Sequence, residues 1–471
     1  MELYSLFDKY NIVNVTDDSR NVVEGSVFVA IKGENFDGEA VAAEMLSKGA
    51  VAVVTQRDLG LKNQVIVENV RLAFAQAASR FYRQPTSRLK LIAVTGTNGK
   101  STVATLIKTV IEKSGCKCGF IGTTCYDVCS HTVYESHLST PRQDELYKLF
   151  AEMVDNNAEY CVMEASSQAL DQFRIAGESF EVGVFTNLTQ DHLDWHKSME
   201  NYYQAKKKLF SMCRSAIICT DDKYGERLLK EVSDEYKIPT ASYKINDLAD
   251  FYGVNIKTSS AGVSYWLTDS VAEKSVPVKF KMPGLFNVAN SIAAIAACKS
   301  LGLDVNECVS ALEGSTGVRG RCEVIHDGDF TVICDYAHTE DALVKILNCV
   351  RQFAKRRIIC LFGAAGERDA DKRPSMAAAA AKYSDFLIIT SDNPRFEDPM
   401  QIIQQVTAGL PKKSPPCETF TDRREAIEFA LKEAEGDDIV LLCGKGHETY
   451  QVIEDDYQPF DERKIVGEIL Q

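Results

Sequence analysis

Short apolar runs, each closed by glycine or by polar residues, recur along this chain and predict most of its strands. "KLIAVTG" at 90–96, "AEYCVMEA" at 158–165, "FEVGVFTNL" at 180–188 and "AIICTDD" at 216–222 are hydrophobic almost throughout. That is the pattern of strands buried on both faces. "STVATLIKTVIEKSG" has helical spacing and stops at Gly115, and "NSIAAIAACKSLG" is a second such helix. Alternation of this kind predicts a mostly parallel sheet covered by helices. The style returns in "FTVICDY", "RRIICLFG", "DFLIITSD" and "DDIVLLCG", with Ala377–Ala381 as strong helix between them. A Rossmann-like sheet follows, with function expected at the carboxyl ends of its strands. Nearer the start, "GSVFVAI" and "GAVAVVTQ" read as strands around the helical "DGEAVAAEMLSKG". The charged "RFYRQPTSRLK" suits a linker. The expected fold is α/β in three domains: a small N-terminal α/β domain at 1–88, a central domain with a phosphate-loop type of parallel sheet at 89–316, and a C-terminal Rossmann-like domain at 317–471.

Composition narrows the function classes. A chain of 471 residues exceeds what one core serves, in line with several domains. The net charge of −14 argues against a nucleic-acid partner. The opening "MELYSLFDKYNIVN" lacks a basic segment before an apolar run, and no apolar stretch reaches the roughly 20 residues that span a bilayer. The 15 cysteines are then expected as reduced thiols of a cytoplasmic protein. Cys116, Cys118, Cys125 and Cys129 match no zinc-finger spacing, and "GCKCGFIGTTC" reads as a helix end followed by a buried strand.

The candidate chemistry lies at strand ends. "TGTNGKST" sits where a strand hands over to a helix, so backbone N–H groups and a helix N-terminus can hold phosphates. Gly96, Thr97, Asn98, Gly99, Lys100, Ser101 and Thr102 form that loop. Lys100 is expected to reach the terminal phosphates, and the Ser101 hydroxyl to coordinate Mg²⁺. The loop is a variant one, because Val94 stands where the common pattern has its first glycine. "DHLDWH" offers His192, Asp194 and His196 as ligands for a divalent ion, with Glu164 as a carboxylate from the same sheet. A hydrogen-bonded loop histidine is the alternative. Lys206, Lys207 and Lys208 read, on residue physics alone, as a solvated helix face. In the last segment, "FGAAGERDADKRP", "SDNPRFEDP" and "GKGHETYQ" place Arg368, Lys372, Arg373, Arg395, Gly444, Lys445 and Glu448 in three loops after strands. Such loops can converge on a zwitterion, arginine taking a carboxylate and glutamate an ammonium. Surface salt bridges are the plain alternative.

Taken in order, these segments resemble the Mur ligase family over essentially the whole chain. "DDSRNVVEGSVFVAIKGENFDG" resembles its N-terminal UDP-binding domain. "TGTNGKST", "HLSTP", "MEASSQAL", "FTNLTQDHLDWH" and "YYQAKKKLF" resemble its ATPase domain, and "GRCEVI", "DYAHTEDAL", "FGAAGERD", "DNPRFED" and "GKGHETYQ" its amino-acid domain. The resemblance implies an ATP- and Mg²⁺-dependent amide ligase of peptidoglycan precursor synthesis. Its implied substrates are UDP-N-acetylmuramoyl-L-alanyl-D-glutamate and meso-diaminopimelate, and it would act as a monomer. By the same resemblance Lys100, Asn187, His192 and Lys206 take catalytic positions, and Lys206 is the lysine that such ligases carbamylate. Ser101, Glu164, His192 and carbamylated Lys206 would hold metal. Asn287, Asn290, Arg321, Asp335 and His338 join the phosphate loop around ATP. Ser19, Ser139, Thr140, Ser166, Gln172 and Arg174 would hold the UDP-dipeptide, and Arg368, Asp392, Asn393, Arg395, Gly444 and Glu448 the diaminopimelate. The "DNPR" form suits diaminopimelate over L-lysine, because arginine can fork onto the distal carboxylate that lysine lacks. The chain departs from the family at Gln168, where histidine is usual, and at Ala365 and Glu367, where glycine and aspartate are. A lysine-adding ligase, a folylpolyglutamate synthetase-type ligase and a precursor-binding protein without turnover are the rival readings.

Overall fold

The computed structural model describes residues 2–33, 36–315, 317–368 and 370–471; of Asp194 only the backbone is described. The chain is α/β and divides into two compact units. The first comprises Met1–Tyr252, Asp269–Lys274 and Asn290–Ala311; the second comprises Gly253–Thr268, Ser275–Ala289 and Leu312–Gln471.

The first unit opens with a parallel four-stranded sheet in sequence order: β1 (Asn14–Thr16), β2 (Ser26–Val29), β3 (Ala52–Thr55) and β4 (Gln64–Ile66). The predicted helix between β2 and β3 forms at Ala42–Ser47, and the chain then turns at Gly49, whose φ of 108° favours glycine. Helix Val70–Phe81 follows, its first turn capped by Asn69, which accepts from the amides of Arg71 and Leu72.

The larger sheet of this unit uses β5 (Lys90–Thr95), β6 (Cys118–Ile121), β7 (Tyr126–Asp127), β8 (Val133–Tyr134), β9 (Tyr160–Glu164), β10 (Phe180–Phe185), β11 (Ala216–Cys219) and β12 (Thr240–Ile245). They lie in the order β12-β11-β10-β5-β9-β6-β7-β8, parallel from β12 to β6, with β7 and β8 antiparallel at the edge. β5 sits between β10 and β9, so the phosphate loop leaves the middle of the sheet, where a βαβ fold binds ligands. From Leu91 on, β5 is buried, as its unbroken apolar run predicts.

Three strands missed by the sequence pattern come next: β13 (Phe251–Ser259), β14 (Gly262–Asp269) and β15 (Lys274–Phe280). The second unit then builds a six-stranded sheet from β16 (Glu323–Asp327), β17 (Thr331–Asp335), β18 (Ile358–Phe362), β19 (Phe386–Thr390), β20 (Cys417–Phe420) and β21 (Ile439–Cys443). The order is β16-β17-β21-β18-β19-β20, with only β16 antiparallel. Helices Glu340–Arg351, Lys372–Tyr383 and Pro399–Thr407 cover one face; Arg423–Glu433 and Glu462–Ile469 cover the other. A hairpin of β22 (Tyr450–Ile453) and β23 (Asp456–Pro459) follows β21. Among the described residues, no helix is long and apolar enough to cross a membrane.

Candidate active site

The phosphate loop is braced by the residues that follow β10. Asn187 grips Asn98 from both sides: its Oδ1 accepts from the Asn98 amide at 3.0 Å, and its Nδ2 donates to the Asn98 carbonyl at 3.1 Å. The Thr97 amide donates to the Asn187 carbonyl at 2.9 Å, and the Thr186 hydroxyl to the Asn98 carbonyl at 2.5 Å. Crowding explains both glycines. Gly96 has a φ of 145°, and a Cβ there would collide with the Thr186 hydroxyl. Gly99 has a φ of 86°, and a Cβ there would lie 2.6 Å from Asn290 Oδ1. Helix Lys100–Lys113 starts directly after it and turns its N-terminus toward the loop.

Two lysines meet at this loop. Lys100 Nζ donates to the carbonyls of Gly96 and Thr97, each at 3.0 Å. Lys206 Nζ donates to the same Gly96 carbonyl at 2.8 Å. Lys206 is only 1% exposed and Lys207 8%, so the solvated-face reading of this triplet is overturned at both; Lys208 alone is exposed, paired with Asp171. Helix Met199–Lys207 turns its last residues inward, setting Lys206 Nζ 4.5 Å above the Tyr202 ring, while Lys207 pairs with Glu231 and Glu235. Burial, reinforced by the charge of Lys100, holds the Lys206 ammonium well below its ordinary range.

The carboxylate and imidazoles fall around these lysines in different ways. Glu164 ends β9 opposite Val94 and is fully buried, accepting from the Thr123 amide at 2.7 Å and the Thr123 hydroxyl at 3.1 Å. Thr123 Oγ1 lies 2.7 Å from Ser139 Oγ, so a chain of hydroxyls runs from Glu164 toward the candidate substrate loop. His192 is partly exposed at a φ of 51°, its ring 6.1 Å from that of Tyr202. His196, offered by the sequence as a metal ligand, is instead buried: it stacks on Tyr202 at 4.9 Å and its Nε2 lies 2.9 Å from Ser167 Oγ. The Asp194 side chain lies outside the described residues. Among the described residues, no group of three or more His, Cys, Asp or Glu is set to hold a metal.

Beside this centre the first unit has a cleft of about 370 Å³ lined by Asp17, Arg71, Arg142, Gln172 and Arg174 with several apolar neighbours. Thr140 hydrogen-bonds the Glu164 carbonyl and the Ser166 hydroxyl, and Arg174 donates to the Thr140 carbonyl at 2.6 Å and to Gln172 Oε1. Four of the six residues expected at the UDP-dipeptide thus form one network. Ser139 joins it through Thr123 and Glu164, while Ser19 is half-buried outside that network. Burial lowers the Arg174 and Arg71 guanidiniums, and Arg142 lowers both further by like charge. Arg142 pairs with Asp17, whose second carboxylate oxygen is buried without a hydrogen-bond partner among the described residues. Arg71, Arg142 and Asp17 carried no recognisable spacing in the sequence, because they come together only through the fold.

In the second unit, the Asp335 carboxylate at the end of β17 accepts from the amides of Cys322 and Ala337, and burial raises it above the usual carboxylate range. The Arg321 guanidinium lies 4.9 Å from the Tyr336 ring, and the His338 ring packs edge-on against the same ring at 4.8 Å, so three of the four predicted nucleotide residues of this unit, Arg321, Asp335 and His338, share one corner. Asn287, in the helix Leu285–Ser300, is buried and donates to the Pro283 carbonyl.

The loops after β19 and β21 are tied by a buried lysine. Lys445 Nζ donates to Asn393 Oδ1 and Glu448 Oε2, both at 2.7 Å, and Asn393 Nδ2 donates to the same Glu448 oxygen at 3.2 Å. Arg395 has a φ of 51° and donates from its guanidinium to the Gly366 carbonyl at 2.7 Å. Gly444 has a φ of 113°, and a Cβ there would collide with the Asp392 carboxylate. Arg373, one of the charges the sequence offered, is buried and committed to Glu397 and Gln405; Arg368 is exposed.

A phosphate cradle in the middle of one parallel sheet and polar loops at the strand ends of a second define a nucleotide-dependent α/β enzyme. Models of the Mur ligase family match the chain in three places: its catalytic domain at 11–82, the middle domain at 94–298 and the glutamate ligase domain at 320–446. The chain belongs to the Mur ligase family. It is similar to a UDP-N-acetylmuramoyl-L-alanyl-D-glutamate–2,6-diaminopimelate ligase of Caldanaerobacter subterraneus subsp. tengcongensis, 43% identical over 98% of this chain and 95% of that one. A ligase of the same name from Clostridium acetobutylicum is 42% identical, again over 98% and 95%. A solved structure of a UDP-N-acetylmuramoyl-L-alanyl-D-glutamate–2,6-diaminopimelate ligase is 32% identical with a TM-score of 0.72, covering 98% of this chain and 94% of its own.

Proposed function

We propose that this chain is an ATP-dependent, ADP-forming ligase that joins meso-diaminopimelate to UDP-N-acetylmuramoyl-L-alanyl-D-glutamate, as a monomer in the cytoplasm. The observation that carries this reading is the likeness, over nearly the whole chain, to ligases named for that reaction. In this reading the γ-carboxylate of the D-glutamyl residue attacks the γ-phosphate of ATP and releases ADP. The amine of the incoming amino acid then attacks the acyl phosphate, and the tetrahedral intermediate expels phosphate.

Lys100 leaves the loop carbonyls and donates to the transferring phosphoryl group, while the loop amides and the helix N-terminus hold the neighbouring phosphates. Asn187 and Thr186 keep those amides aimed, which is positioning rather than bond chemistry. Arg71, Arg142 and Arg174 give the cleft the charge to hold an anionic substrate.

Magnesium fits this donor set: Glu164 is a fully buried carboxylate whose only hydrogen bonds among the described residues come from Thr123, Ser101 stands in the first turn of the helix Lys100–Lys113, and His192 stands just before the short helix Leu193–His196. When bound it neutralises charge on the phosphates. Lys206 fits carbamylation, because burial beside Lys100 shifts it toward the uncharged amine, the form that can attack CO₂ and lose a proton to give an anionic group beside the loop. Arg395, Asn393 and Glu448 offer a fork, an amide and a carboxylate to a zwitterion with a distal carboxylate, which favours diaminopimelate over lysine.

The test is phosphate release with Mg-ATP and the UDP-dipeptide, in parallel with meso-diaminopimelate, L-lysine or no amino acid, with product mass checked. Tripeptide with diaminopimelate alone is expected. Turnover with lysine alone would overturn the amino-acid assignment, and no turnover in any tube would overturn the ligase.

A further inference from the structure

Arg423 opens the helix Arg423–Glu433, and its side chain is fully buried at the carboxyl ends of the strands. Its Nε donates to Glu462 Oε1 at 2.9 Å, one terminal nitrogen to the Ser391 carbonyl at 3.2 Å, and the other to the Cys443 carbonyl at 2.7 Å. Those carbonyls stand directly before Asp392 and Gly444, where the two loops tied by Lys445 leave β19 and β21. Glu462, itself buried, takes the Cys334 thiol on its other oxygen at 3.3 Å, one residue before Asp335. One ion pair therefore touches three strand ends, each at the residue preceding a predicted binding residue.

We propose that the buried Arg423–Glu462 pair is a positioning device that sets the spacing of the two amino-acid-binding loops. A buried ion pair is weak evidence for stability, since apolar replacement is often neutral, so its retention here needs another reason. The guanidinium supplies one. Its planar fork reaches two carbonyls on strands separated by β18 while a third edge faces Glu462; lysine, with a single ammonium, cannot span the same points. The guanidinium feels the charge of the Asp392 carboxylate and holds the loops through the Ser391 and Cys443 carbonyls.

This rests on the assignment of Asp392–Arg395 and Gly444–Glu448 as the amino-acid loops. The test is steady-state phosphate release by the full-length R423K and E462Q variants, with KM measured separately for diaminopimelate, ATP and the UDP-dipeptide, alongside folding by circular dichroism. A rise of about tenfold or more in KM for diaminopimelate is expected, with the other two KM values within about twofold. Unchanged KM values in a folded variant, a parallel rise in all three, or failure of both variants to fold would overturn the proposal. Arg395→Ala in the same assay separates the two ideas: if it leaves the diaminopimelate KM unchanged, the loop assignment fails whatever Arg423 does.

Discussion

Lys206 shows what burial does to one charged side chain. Its ammonium has lost water, gained the like charge of Lys100 and kept one carbonyl. The folded-state pKa lies below the unfolded value, so between the two the unfolded chain binds the extra proton and stability rises with pH. Lys206→Met should therefore raise the melting temperature at pH 7 by about 2 °C or more in CO₂-depleted buffer, and should flatten the increase of stability from pH 7 toward 10. Calorimetry across that range checks both, and the variant should have no turnover. Lys100→Ala should lower turnover by about 10³-fold or more with the fold intact; a wild-type rate would remove Lys100 from the chemistry. The sequence could not distinguish Lys206 from Lys207 and Lys208, because burial depends on how a helix is rotated against a sheet. Only the resemblance singled it out.

At the scale of elements, the parallel strands were the most legible parts, since burial on both faces leaves an unbroken apolar run. β13 was not: only Phe251 and Gly253 are buried, and Asn255, Lys257 and Ser259 are exposed, so no apolar run announces it. The phosphate loop was legible in kind, whereas its bracing by Thr186 and Asn187 depends on a strand ninety residues away. Asn187→Ala frees both edges of Asn98 and should raise the KM for ATP about tenfold with little change in the KM for the UDP-dipeptide; initial-rate kinetics decide. Arg395→Ala should raise the KM for diaminopimelate about tenfold to a hundredfold, from the loss of a charged contact. His192 and Arg395 share a backbone feature the sequence did not announce: both hold left-handed conformations without being glycine, each at a cost of about 1–2 kcal/mol. His192→Gly and Arg395→Gly should therefore be tolerated by the fold better than by turnover, as melting curves beside rates would show.

For the whole molecule, two compact units with separate cores predict thermal unfolding in more than one transition. Scanning calorimetry with the UDP-dipeptide at about 100 times its Kd should move the transition of the first unit, which holds the arginine-lined cleft, by the equivalent of about 2.7 kcal/mol. A single transition that shifts as a whole would mean that the units unfold together. The crowded phosphate loop also bears on how this chain can change under selection. Any side chain at Gly96 meets Thr186 and any at Gly99 meets Asn290, and both glycines hold a positive φ, so replacement at either position strains the loop. An inhibitor anchored to the loop's backbone amides and carbonyls would face a surface that point mutation cannot reshape without losing the nucleotide cradle, and resistance would have to arise elsewhere.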